Sequence, residues 1–179
     1  MGIYLVGYWI VFLAAVLKVD QTPTEIERCY WAVLIHTVGI GLQIGSDVQK
    51  STTLQIKDGL ITNGFFEKSR NPNYLGELLI CLSLAMLSKS YFCWAYLTLC
   101  WILVFGTGIL KKEASLMQKD GFKVYQEKSL ILFPRLFKDY LKNYYIYTGC
   151  IAIIYLLYLS GGFLHIFGIR TPRKTYEIY

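Results

Sequence analysis

Residues 69–77 read SRNPNYLGE, and residues 78–89, which follow at once, read LLICLSLAMLSK. Two asparagines, a glycine and a glutamate stand at the entrance of a stretch that is otherwise almost wholly apolar. Pro72 marks a helix start, because a proline in the first turn gives up no helical hydrogen bond. Asn73 and Glu77 are four positions apart and share one helix face. Gly76 beside them leaves room for a ligand or for another backbone. A carboxylate in the first turns also complements the helix dipole. Taken singly, each residue fits a well-capped helix start, so the rest of the chain must decide whether this is a cap or a site.

The chain has 179 residues, of which 55% are hydrophobic, and a mean hydropathy of +0.41. A soluble domain of this length is less apolar. The apolar residues come in long blocks: Ile3–Leu17, Tyr30–Ile44, Tyr74–Leu87, Tyr91–Leu110 and Tyr144–Gly168. A membrane span needs roughly 20 mostly apolar residues. The last two blocks meet this outright, and the second and third meet it when polar end residues are included. The expected fold is all-α, a polytopic membrane bundle of about five helices. The first block reads as an uncleaved helix, since no basic residue precedes it and Lys18 follows it. Tyr4, Tyr8, Trp9, Tyr30, Trp31, Tyr91 and Trp94 cluster near block ends, as interfacial belts do.

The net charge is +6, and twelve of the 18 basic residues lie in the loops 47–70 and 111–142. Two apolar blocks joined by the short link Ser88–Ser90 separate these loops, so both fall on one side. The positive-inside rule makes that side cytosolic. The charge reads first as orientation and contact with anionic lipid, and second as a floor for a phosphorylated cofactor. Basic residues flanking spans exclude a nucleic-acid partner. The five cysteines form no C-x-x-C, so neither a metal site nor a disulfide framework is expected. P-loop, G-x-G-x-x-G, G-x-S-x-G and H-E-x-x-H motifs are absent from the sequence, as are internal repeats.

His36, Gln43 and Asp47 recur on one face of the second helix, with Gly39, Gly41 and Gly45 permitting close packing. Intramembrane polar groups face the bundle interior. His36 reads as an interhelical hydrogen-bonding residue, and Asp47 reads equally as a cap or a ligand residue. Asp58-Gly59 and Asn63-Gly64 are turn signals in the polar connector 48–68, where Phe65 and Phe66 suit the membrane surface. Leu116, Phe122, Tyr125, Leu130 and Leu132 are expected to lie on the membrane with lysines outward. The last block ends in Arg170, Arg173 and Lys174, on the wrong side if it crosses once; a bend at Gly161-Gly162 would repair this. The expected organisation is an N-terminal helix and loop (1–29), a central core (30–137) and a hydrophobic C-terminal segment and tail (138–179).

The order of these features carries a resemblance. Ser46-Asp47 closes one helix, GFFEKSRNPNYLGE (64–77) precedes two apolar helices, and KEASLMQKDGFKVYQEKSLILFP (112–134) follows. This arrangement resembles the C-terminal catalytic region of the steroid 5-alpha-reductase family over about residues 40–137. The resemblance implies an endoplasmic-reticulum membrane protein whose cytosolic helix ends and loops hold NADPH. It implies cofactor roles for Gln43, Asp47, Asn73, Tyr74, Gly76 and Glu77, with Arg70 toward the phosphates and Glu113 and Tyr125 in the second matching segment. Gln43 stands where the reductases tend to have Asn, which keeps the amide.

The implied reaction is NADPH-dependent reduction of a carbon–carbon double bond in a sterol-like or isoprenoid lipid. No catalytic acid is identified; Tyr4, Tyr8 and His36 are the candidates. The alternative is an S-adenosylmethionine-dependent lipid or isoprenylcysteine methyltransferase, which carries R-H-P-x-Y-x-G and E-E-x-x-L. Here Asn71 replaces the His and Lys112-Glu113 the acidic pair. A steroid reductase needs more helices before the Gln43 helix than this chain offers, which leaves room for a partner subunit, a homo-oligomer or a non-catalytic membrane protein.

Overall fold

The computed structural model describes residues 24–88 and 91–159. Those residues are helical throughout, with turns and loops but no strand; a single parallel bridge joins Ser69 to Leu130. In chain order they form α1 (Thr24–Ile56), a 3₁₀ turn (Gly64–Phe66), α2 (Pro72–Ser88) and α3 (Tyr91–Cys100). A π-helical segment (Trp101–Gly106) follows, then α4 (Thr107–Leu116), α5 (Phe122–Lys128) and α6 (Tyr140–Leu159).

Helix α1 outruns its apolar block by several turns. The polar stretch after Ile44 contains no proline, and its hydroxyls bond back onto the helix. Ser51 Oγ and Thr52 Oγ1 each donate to the Val48 carbonyl at 2.9 Å. The helix ends before Gly59, whose φ of +135° only glycine adopts without strain. Pro72 opens α2, and the Asn71 carbonyl accepts the Leu75 N–H at 3.2 Å.

α1 and α2 run antiparallel and form the principal helix pair. Ala32, Gly39 and Ser46, one in seven along α1, are buried against α2. At Gly39 and Gly76 the two backbones touch. A Cβ added to Gly76 would lie 2.6 Å from the Gly39 carbonyl oxygen and 2.6 Å from the Gln43 nitrogen. Small residues of this kind let helices approach to backbone contact. Two turns from the Gln43 level, His36 Nδ1 meets Ser83 Oγ at 2.9 Å, joining the same two helices. On the other face of α2, Cys81 and Ala85 pack with Leu97 of α3, flanked by Trp94 and Trp101.

Two helical stretches are long and apolar enough to cross a membrane, Glu27–Ile56 and Trp94–Leu116; Pro72–Leu87 is apolar but shorter. Of about five expected spans, two are seen at full length among the described residues, and the end of the block 144–168 lies beyond them. The block 3–17, the link residues 89 and 90 and the Gly161-Gly162 bend lie outside them. Only 17% and 11% of the two apolar windows is buried, so most of their large side chains face outward. Leu34, Ile44, Leu99, Ile102, Leu103 and Leu110 are all more than half exposed.

The segment after α4 corrects another expectation. Phe122 and Tyr125 do not lie outward; they are 5% and 4% exposed and turn onto residues 66–70. Phe66 is likewise buried, at 4%. The reason is a dense set of backbone bonds between the two loops. Arg70 N–H donates to the Leu130 carbonyl at 2.9 Å, Leu130 N–H to Lys68 at 3.1 Å, and Arg135 N–H to Lys68 at 2.9 Å. Tyr125 must face inward because its hydroxyl donates to the Phe66 carbonyl at 2.6 Å.

Candidate functional site

The residues singled out in the sequence fall into two adjoining groups. The first is a buried clamp. Arg70, 3% exposed, donates from Nε to both Glu113 oxygens at 3.1 and 2.9 Å. Its Nη1 donates to the Ser129 carbonyl at 2.8 Å and to Ser129 Oγ at 3.2 Å. Asn71, fully buried, donates from Nδ2 to Glu113 at 3.3 Å and to the Ile131 carbonyl at 2.9 Å. The Phe122 ring lies 5.8 Å from the Arg70 guanidinium carbon. Ser129 Oγ donates to the Tyr125 carbonyl at 2.7 Å and Ser69 Oγ to the Leu132 carbonyl at 2.6 Å. Burial pushes the Tyr125 phenol up to about 12, so it remains a hydrogen-bond donor at neutral pH. Arg70, Glu113 and Tyr125 thus tie α4, the 66–71 segment and α5 together. The two sequence segments that carried the resemblance are bonded partners, which is a physical reason for their occurring together.

The second group gathers at a mouth formed by the junction of α1, the start of α2 and α4. Gln43 Nε2 donates to Glu77 Oε1 at 3.2 Å. Asp47, exposed one turn further along α1, lies close enough to act on the Glu77 carboxylate electrostatically. Asn73 Oδ1 accepts from Lys112 Nζ at 3.4 Å. Tyr74 stands beside them, with Gly108 beneath its hydroxyl: a Cβ there would approach Tyr74 Oη to 3.0 Å. Gly76 supplies the close approach that brings Gln43 to Glu77.

Lys112 is the residue that the sequence reading passed over as a ligand group. Its ammonium lies 5.7 Å from the Phe66 ring centroid and 5.5 Å from that of Tyr74. It sits in the field of Lys50, Asp47 and Glu113, yet among the described residues no carboxylate comes within ion-pair distance of it. Its neighbour Glu113 is spent on Arg70. No local sequence signal separates the two: adjacent charges on a helix point in different directions, but which of them joins the clamp is decided by contact with Arg70, far away along the chain. The mouth therefore combines two carboxylates and two amides with a half-buried ammonium whose contacts are ring faces and one amide oxygen. Such a surface can receive a ligand that carries both hydroxyl or amide donors and an anionic group. Among the described residues no group of three or more His, Cys, Asp or Glu is placed to hold a metal ion.

A family model described as a protein of unknown function (DUF1295) matches residues 3–129. The chain belongs to the DUF1295 family. The matched stretch contains all of the mouth and the clamp through Ser129, and α6 lies beyond it. No match to the chain is found among curated proteins or among solved structures.

Proposed function

We propose that this DUF1295 protein is a membrane-embedded reductase that uses NADPH to saturate a carbon–carbon double bond in a sterol-like or isoprenoid lipid. The observation that carries the reading is the convergence of Gln43, Asp47, Asn73, Glu77 and Lys112, from three helices, on one mouth. The resemblance of residues 64–77 and 112–134 to steroid 5-alpha-reductases supports the choice of cofactor. Outward-facing Leu and Ile on two helices long enough to cross a membrane support a multi-pass bundle fed from the bilayer; an endoplasmic-reticulum location rests on the resemblance alone.

The residues present fit the cofactor. Lys112 is a half-buried cation without a carboxylate partner among the described residues, and it would meet a phosphate, with Lys50 adding to the local positive field. Asp47 would accept from ribose hydroxyls. Glu77, oriented by Gln43, would accept from an amide at the ring end. When bound, NADPH supplies hydride to the electron-poor carbon of the lipid. Arg70 and Glu113 hold the wall behind Lys112 and so fix where its ammonium stands. Tyr74 and Phe66 cover the ammonium with ring faces, which limits water at the mouth.

One observation favours a second reading. Asp47 and Glu77 place two carboxylates close together, and a ligand with sulfonium and ammonium groups suits them; S-adenosylmethionine would make the same mouth a lipid methyltransferase site. The test is thermal unfolding of the detergent-purified protein with NADPH, NADH or S-adenosylmethionine added separately. A ligand that binds only the folded state stabilises it by about 2.7 kcal/mol at a hundredfold excess over its dissociation constant. A rise in Tm with NADPH alone is expected. A rise with S-adenosylmethionine alone would replace the reductase reading by the second, and no rise with any would leave the mouth as a helix junction.

A further inference from the structure

The π-helical segment Trp101–Gly106 and the side chain that opens it are not used by the mouth. Short π segments recur at functional sites because they re-aim side chains within a continuous helix. Here the segment begins at Trp101, whose indole stacks on Phe105 with centroids 5.0 Å apart and planes 19° from parallel. Phe105 meets Tyr74 edge-on at 6.0 Å. Tyr74 in turn faces Lys112. A continuous run of rings therefore leads from the mouth, past Tyr74 and Phe105, to Trp101 beside Cys81, Ala85 and Leu97.

At the far end of that run, Trp101 Nε1 is buried and has no hydrogen-bond partner among the described residues. Its N–H can only donate. A buried donor left unpaired costs the desolvation of the group, with nothing gained in return. Water could compensate such a group in a soluble protein, but the hydrocarbon region of a bilayer offers none. The neighbours here, Cys81, Ala85, Leu97 and Trp94, offer no strong acceptor side chain. An unsatisfied donor at this place suits an acceptor supplied by a bound ligand.

We propose that Trp101 recognises a hydrogen-bond-accepting oxygen on an apolar, ring-bearing lipid that lies along the Tyr74–Phe105–Trp101 rings. The ring faces supply an apolar bed, and the indole N–H discriminates an oxygenated lipid from its hydrocarbon counterpart. This rests on reading the mouth as the cofactor site, because the ring run ends there. It names Trp101 as a specificity residue for the lipid, with no role in holding the cofactor.

The experiment uses the full chain in nanodiscs, with cholest-4-en-3-one and cholest-4-ene as paired probes. Indole N–H resonances are followed by ¹H–¹⁵N spectroscopy, with Trp101 assigned from Trp101→Phe, and affinities are measured for both probes. The expected result is a shift of the Trp101 resonance with the ketone alone. The ketone should bind more tightly than the hydrocarbon on the order of fivefold to tenfold, the value of one hydrogen bond. Trp101→Phe should abolish that preference while binding the hydrocarbon as before, and Trp94→Phe should retain it. Equal affinities in the wild-type protein, or a preference that survives in Trp101→Phe, would overturn the inference. The absence of an NADPH-dependent rise in Tm, with the ketone preference intact, would overturn the mouth reading alone.

Discussion

Arg70 carries a full charge in a place that is 3% exposed, and everything around it answers that charge. The Glu113 carboxylate lies 2.9 Å from its Nε, and the Ser129 carbonyl takes its Nη1. Removing one partner of a buried pair leaves the other uncompensated, at a cost of about 3–5 kcal/mol. Arg70→Met and Glu113→Gln should each lower Tm steeply, and chemical denaturation in detergent measures the loss. Lys112 behaves differently, since its contacts are two ring faces and one long hydrogen bond. Lys112→Met should leave stability within about 1 kcal/mol of wild type and weaken anionic ligands. Tyr125 gives a pH signature. Its pKa is raised to about 12 by burial, so between roughly pH 10 and 12 the unfolded phenol loses its proton while the folded one keeps it. The stability it contributes is complete below pH 10 and is lost as pH climbs toward 12. Tyr125→Phe should remove that part of the alkaline slope, read by unfolding at stepped pH.

Gly76 sets the spacing between α1 and α2 more directly than any large side chain. A methyl group there would lie 2.6 Å from two backbone atoms of α1, so the helices must part. Gly76→Ala should therefore separate the pair, break the Gln43–Glu77 bond and lower both stability and ligand binding. Gly41→Ala is the control, because a Cβ there meets nothing within 4 Å. Spin labels on α1 and α2, with their distance measured by electron resonance, distinguish the two variants. α6 is anchored at its root by Asn143, 1% exposed. Its Oδ1 accepts the Leu136 and Phe137 N–H groups at 2.8 and 2.9 Å, and its Nδ2 donates to the Phe137 and Asp139 carbonyls, both at 2.7 Å. The helices themselves were legible in the sequence, because apolar runs and Pro72 are local signals. Pro72 opens α2 as expected, and Gly59 and Gly64 adopt positive φ at the turns that their dipeptides announce. Two things were not legible. The length of α1 was underread because a polar helix end looks like a connector. The inward turn of Phe122 and Tyr125 depends on carbonyls more than fifty positions away, which no window along the chain contains. The site divides likewise. The Gln43, Asp47, Asn73 and Glu77 positions follow from spacing along helices, whereas the Arg70–Glu113 pairing and the resulting freedom of Lys112 come only from tertiary contact.

The described residues turn much of their apolar surface outward. In water, exposed stretches such as Leu99, Ile102 and Leu103 would drive association, and a bilayer removes that cost. Cysteines introduced at Leu34 or Ile102 in a background lacking the native cysteines should resist aqueous maleimide in proteoliposomes. Those introduced at Lys119 or Lys123 should react; equal labelling at all four would contradict a membrane setting. The arrangement also assigns distinct work to distinct parts: a clamp that holds the loops, a helix pair in backbone contact, and a mouth whose Lys112 has no carboxylate at ion-pair distance among the described residues. The central claim is that this mouth binds NADPH. Its most direct test is the NADPH dissociation constant of the nanodisc-reconstituted protein, measured beside Lys112→Met and Glu77→Gln. The account predicts binding in the wild-type protein that weakens on the order of tenfold or more in each variant, as loss of a charge-assisted contact does, with the ligand-free Tm of Lys112→Met unchanged. Equal NADPH affinity in all three proteins, or none in the wild type, would contradict it.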